Sequence, residues 1–203
     1  MKRRVLLAAI CALPFAAHAE DAAGPAQPIA ALNAGLLAVM RAGRAKSFAE
    51  RTAMLRPVIE KAFDLKFLVQ SSVGHARWVE LPADQQNALL EVFSQFTVAS
   101  YVANFDAFNG EKFTIETDNR KVENDIVVPS RIVATNGDVT KLDYVMRNTD
   151  SSWRVVDILL DGSISRVAVT RSDFRAMLGP GDASKLIDSL RSKVAKLAAG
   201  TAS

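Results

Sequence analysis

The stretch DIVVPSRIVATNGDVTKLDYVMRNTDSSWRVVDILL, residues 125–160, decides the fold of this chain. Its first part, Asp125 to Thr135, is rich in Val and Ile, as strands are. Asn136-Gly137 follows, the strongest short-range hairpin signal, set between two strand-like runs. Thr140 to Arg147 then alternates Leu142, Tyr144 and Met146 against Lys141, Asp143 and Arg147. A second turn, NTDSS, leads into Trp153 to Leu160. With Phe113-Thr-Ile115 just upstream, the spacing predicts an antiparallel meander of four to five strands.

Outward from the meander the period changes from 2 to about 3.6. Ile29, Leu32, Leu36 and Val39/Met40 predict a first helix, stopped at Gly43. Ser47 with Glu50 three residues on is a capping box for a second. Pro57 inside that helix should kink or split it. Phe63 to Val73 reads as a short helix ending near Gly74. The longest helix starts at Leu81-Pro82-Ala83-Asp84, where Pro82 suits a first turn and Asp84 the positive end of the dipole. It runs to the stop signal Asn109-Gly110. Two helices close the chain, Arg171 to Leu178 and Ala183 to Ala198, and residues 199–203 read as a disordered tail. Helices, then a meander, then helices make an α+β class, with helices packed on the sheet.

The ends change the composition. Lys2, Arg3 and Arg4 precede an apolar run, Val5 to Ala17, and Ala17-His18-Ala19 is a cleavage pattern. Residues 1–19 are therefore read as a secretory signal peptide, cut after Ala19. A lipid-anchor reading of Cys11 meets Ile10, where a lipobox wants Gly or Ala. Residues 20–28 form a flexible lead, and 29–198 a single domain. The chain has 25 basic and 22 acidic residues, and cleavage leaves 22 of each. Neutral charge argues against nucleic acid as a partner. Cleavage also removes the one Cys and leaves His75 as the one His. That excludes a disulfide framework, a Cys nucleophile and a Cys/His zinc site.

Candidate chemistry is sparse. Ser163, Ser165 and Ser172 lie in LLDGSISRVAVTRSDF, residues 159–174, without a nucleophile-elbow glycine pattern. A triad would need His75 to meet one of them. The structural reading gives Asp161-Gly162 a turn, Ser172 or Thr170 a helix cap, and Asp173 the first turn. Asp157 amid apolar strand residues, with Tyr144 on a neighbouring strand, could transfer protons, or pair with Arg154 or Arg166. No phosphate loop, dinucleotide fingerprint or Ca²⁺ loop occurs. What remains is an excess of apolar positions at both strand parities. They cover two sheet faces, or part of them lines a cavity for an apolar ligand.

Several blocks resemble one family. FDLKFLVQSSVGHARWVELPADQQNALLEVFSQFTVASYVANFDAFNGEKF (63–113), LDYVMRN (142–148) and WRVVDILLDGSISRVAVTRSDF (153–174) are similar to MlaC-type periplasmic phospholipid-binding proteins. These are also called toluene-tolerance (Ttg2) auxiliary proteins. DGSISRVAVTRSDF and DASKLIDSLRSKVAKL (182–197) resemble the hopanoid-associated HpnM branch. The resemblance implies a sheet-plus-helices fold akin to NTF2-like cones, with an internal apolar pocket. It implies a periplasmic, non-catalytic carrier with no cofactor or metal. Its ligand would be a phospholipid or hopanoid. Its partners would be an inner-membrane ABC transporter with an MCE-type component and an outer-membrane acceptor.

On that reading the pocket residues follow from the apolar faces. Phe93, Phe96, Tyr101 and Phe105 are expected from the long helix. Phe113, Val128, Ile132, Leu142, Tyr144 and Met146 are expected from the sheet. Ile158, Leu160 and Ile164 come from the segment through the late turn. A pocketed hydrolase or isomerase built on Asp157, Tyr144 or the Ser163 region stays open at this level. So does a lipid-free envelope adaptor.

Overall fold

A computed structural model describes residues 24–201. The expected signal peptide, its cleavage site and the first part of the lead lie outside the described residues, as do residues 202 and 203. The first helix, α1 (Ala26–Ala42), begins inside the stretch expected as lead. Ala is the best helix former, and Pro28 falls in the first turn, where a missing N–H costs nothing. Helix α2 (Phe48–Ala62) has its capping box: Ser47 Oγ accepts from Glu50 N and Glu50 Oε2 accepts from Ser47 N, at 3.2 and 2.8 Å. Those bonds hold the Glu50 carboxyl down to about 2. The helix runs unbroken through Pro57, because Leu55, Ile59 and Ala62 bury its inner face. Gly35 lets α1 and α2 approach: a Cβ there would sit 3.0 Å from Val58 Cγ1.

Asp64 caps α3 (Leu65–Val73) through Phe67 N, and Gly74 at φ 91° ends it. His75 starts a further short helix, α4 (His75–Glu80), in a stretch the sequence reading left between helices. The long helix α5 (Ala83–Asn104) stops at Phe105, five residues before Gly110. Phe105 leaves the helical region with φ −116° and ψ 56°, so Phe105 and Phe108 belong to the loop.

The sheet has six antiparallel strands: β1 (Lys112–Ile115), β2 (Arg120–Val122), β3 (Asp125–Val133), β4 (Val139–Thr149), β5 (Ser152–Leu160) and β6 (Ile164–Ser165). Their order is β1-β3-β4-β5-β6, and β2 pairs with the other half of the β1 side of β3. Strands β2 and β6 were not anticipated. One is three exposed residues and the other two residues long, too short to show a period. The β3–β4 hairpin closes with a three-residue loop, Gly137 sitting at φ 91° and its N–H bonding Ala134 O. The tighter turn falls within the expected NTDSS stretch: Asp150 and Ser151, at φ 51° and 62°, join β4 to β5 without glycine.

The closing helices shift from expectation. Helix α6 (Arg166–Arg175) starts five residues early, capped by Ser165, whose Oγ accepts from Ala168 N at 3.0 Å. Val167 and Val169 are helical. Helix α7 (Ser184–Ala198) lays Leu186, Ile187 and Leu190 on α5. Its end is capped: Gly200 N bonds Leu197 O and Thr201 N bonds Lys196 O, the paired closure of a left-handed cap. The core joins Ile29, Leu32 and Leu36 of α1 to Leu55, Ile59, Val69, Leu89 and Val102, and through them to Val128, Met146 and Val155 of the sheet.

Candidate functional site

One face of the sheet is set by register. Val128 pairs with Tyr144, Ser130 with Leu142 and Ile132 with Thr140. On the other side of β4, Tyr144 pairs with Ile158 and Leu142 with Leu160. Between Val145 and Met146 the register shifts: Met146 pairs with Val155, and Val156 is the extra residue of a β-bulge. The bulge puts Val155 on the same face as Ile158 and Leu160 although its number has the opposite parity. This explains why apolar residues fall at both parities within β5.

Between that face and α5 lies a cavity of about 680 Å³, within the size range of small-molecule sites, roughly 300–1,000 Å³. Helix α5 offers Phe93, Phe96, Thr97, Ser100, Tyr101 and Asn104, the i, i+3/i+4 row of one helical face. The sheet offers Ile132, Thr140, Leu142, Tyr144, Val155, Ile158 and Leu160. Phe105 follows from the loop. Arg166, Val167 and Thr170 of α6 close one side, and Met40, Phe63, Leu68 and Ser72 complete the inner wall. The rim is polar: Asn104, Asn109, Thr140 and Arg166 are exposed, with half-buried Asp106 and Glu111 beside them.

Of the residues expected in the pocket, Phe93, Phe96, Tyr101, Phe105, Ile132, Leu142, Tyr144, Ile158 and Leu160 line this cavity. Four do not. Val128 and Met146 share its sheet face but are sealed where the helices pack down on the strands. Phe113 stands behind the wall, its ring 6.0 Å from that of Phe105. Ile164 is 51% exposed on β6. Sequence reading missed the α6 residues because that helix was placed too late. Thr97 and Ser100 were within reach, since they share the helical row of Phe93 and Phe96.

The polar groups inside do not form a catalytic set. Tyr101 stacks on Phe105, with centroids 6.0 Å apart and planes at 13°. Burial pushes its phenol well above the usual range, with Tyr144 adding to the shift and Arg166 opposing it. Burial likewise pushes Tyr144 up to about 12. Both are neutral phenols at neutral pH. The Asp157 carboxylate accepts from Ile158 N at 2.8 Å, Val167 N at 3.0 Å and Ser165 Oγ at 2.5 Å. It fastens the start of α6 to β5 and pairs with neither Arg154 nor Arg166. His75 and Ser172 border a separate cleft, and no hydrogen bond joins them. Among the described residues no cluster of three His, Cys, Asp or Glu could hold a metal. An apolar hollow with a polar rim can enclose a greasy body and leave a hydrated group at its edge.

The profile of the MlaC protein family matches residues 31–192. The chain belongs to the MlaC family. This MlaC protein is also similar in fold to a phospholipid-binding protein from Ralstonia solanacearum, solved in complex with a phospholipid. The two are 20% identical, and the match covers 87% of this chain and 99% of that one with a TM-score of 0.73. That likeness establishes the α+β fold. No curated protein matches the chain.

Proposed function

We propose that this MlaC-family protein is a periplasmic lipid carrier without catalytic activity. It would move phospholipid or hopanoid between an inner-membrane ABC transporter with an MCE-type component and an outer-membrane acceptor. The observation that carries the reading is the cavity: phenylalanine, leucine and isoleucine walls under a polar rim, in a fold whose Ralstonia relative holds a phospholipid.

The physics of transfer sets the requirements. Each CH₂ exposed to water costs about 0.8 kcal/mol, so a free lipid does not cross an aqueous gap on its own. A carrier wall must rival the bilayer without greatly exceeding it, or loading or release stalls. Phe93, Phe96, Leu142, Ile158 and Leu160 supply such a wall. The head group stays at the rim, where Asn104, Asn109, Thr140 and Arg166 keep it hydrated. The neutral phenols of Tyr101 and Tyr144 place no charge against the chains. The Asp157 carboxylate is engaged by Ile158 N, Val167 N and Ser165 Oγ in fastening α6 to β5.

Native mass spectrometry of protein purified from a periplasm, followed by organic extraction, tests this. A stoichiometric lipid is expected. Diacyl phospholipid assigns the general carrier role, and a hopanoid assigns the specialised branch that DGSISRVAVTRSDF and DASKLIDSLRSKVAKL resemble. A lipid-free mass that persists after incubation with membranes would overturn the reading.

A further inference from the structure

A second cleft, of about 530 Å³, opens where α6 crosses the junction of α3 and α4. Its walls carry Arg77, Arg171 and Arg175, together with His75 and Ser172, and no carboxylate. Among the described residues none of the three arginines is in an ion pair. Asp173, the nearest acid in sequence, projects from another side of α6 by the helical period. Three like charges facing one hollow repel each other, an arrangement that an anion relieves.

One arginine is already positioned. Arg171 Nε donates to Ser71 O at 2.8 Å. Ser71 lies in the last turn of α3, where carbonyls lack intrahelical partners and the dipole favours a cation. Anchoring through Nε fixes the guanidinium plane and leaves both terminal NH₂ groups free. That is the geometry which grips an oxyanion bidentately, at reduced entropic cost. The cleft is also separate from the apolar cavity. Arg166, Val167 and Thr170 face the cavity, whereas Ala168, Arg171, Ser172 and Arg175 face the cleft. At 100° per residue these sets lie on nearly opposite sides of α6.

We propose that this cleft is a binding site for a phosphate-class oxyanion, with Arg171 as its anchored clamp and Arg77 and Arg175 as flanking cations. The hollow exceeds a bare phosphate, so either free phosphate or the phosphate of a lipid head group in a membrane surface fits the chemistry. The site is independent of whatever the apolar cavity carries.

The test follows backbone amide shifts of the folded protein during titration with inorganic phosphate at constant ionic strength, with chloride as control. Saturable shifts confined to α4, the end of α3 and the cleft side of α6 are expected, weakened at least about tenfold in Arg171→Gln. Arg171→Lys, which keeps the charge without the planar fork, should fall between. Co-sedimentation with phosphatidic acid vesicles separates the sources. Loss of vesicle binding in Arg171→Gln assigns the head group. Vesicle binding indifferent to that change, with phosphate binding lost, assigns the free ion. Equal response to chloride and phosphate, or equal phosphate affinity in wild type and a folded Arg171→Gln, overturns the proposal. Native mass spectrometry of Arg171→Gln keeps the two sites apart, since its cavity ligand should match wild type.

Discussion

Met146 and Leu142 lie on the same strand, face the same side and have similar bulk, yet one is fully sealed and the other looks into empty space. The same contrast holds along β3, between Val128 and Ile132. Nothing in the strands themselves separates the two ends. The difference lies in the helices, which press on the sheet around Val128 and Met146 and stand away from it near Leu142, Ile132 and Leu160. A cavity in this fold is therefore a place where packing is withheld, made of the residues that build the core a few ångströms away.

The sharpest way to break that comparison is Leu142→Arg. Lipid loading should be abolished while the circular dichroism spectrum stays native, because the charge can reach the hydrated rim. Unfolding would mean that the open end is core after all. Next in size is the sealed end. Met146→Ala should lower stability by about 3 kcal/mol in urea denaturation, against less than about 1 kcal/mol for Leu142→Ala, which deletes contacts that are already half missing. Equal losses would erase the distinction.

The joint between sheet and α6 gives a smaller effect. Asp157→Ala removes the acceptor for Val167 N and Ser165 Oγ, and should cost about 1–2 kcal/mol. Bound lipid should survive, which turnover chemistry at Asp157 would not require. The mildest test is alkaline pH. The Tyr144 phenol is raised to about 12 in the fold, against about 10 in an unfolded chain. The unfolded state therefore sheds its proton first, and stability falls between pH 10 and about 12. Tyr144→Phe should flatten that fall, readable as the pH dependence of the urea midpoint.

Much of this was legible in residue patterns, because patterns report local demands. The capping box at Ser47, the stop at Gly74 and the alternation of Leu142, Tyr144 and Met146 each answer to a neighbour within a few residues. The α6 start was not legible, because its cap depends on Asp157 reaching across from another strand. The bulge at Val156 was equally hidden, since it is defined against β4 and not within β5. The split between lining and core was the least readable. Val128 and Ile132 differ only in what a distant helix does above them.

The hairpin tip at Asp150-Ser151 has a practical consequence. Both residues occupy the left-handed region that Asn-Gly fills at little cost. The tip lies at the sealed end of β4 and β5, remote from the rim. Exchanging this pair for Asn-Gly is therefore a way to add stability in reserve, which would let the cavity wall be altered further before the fold gives way.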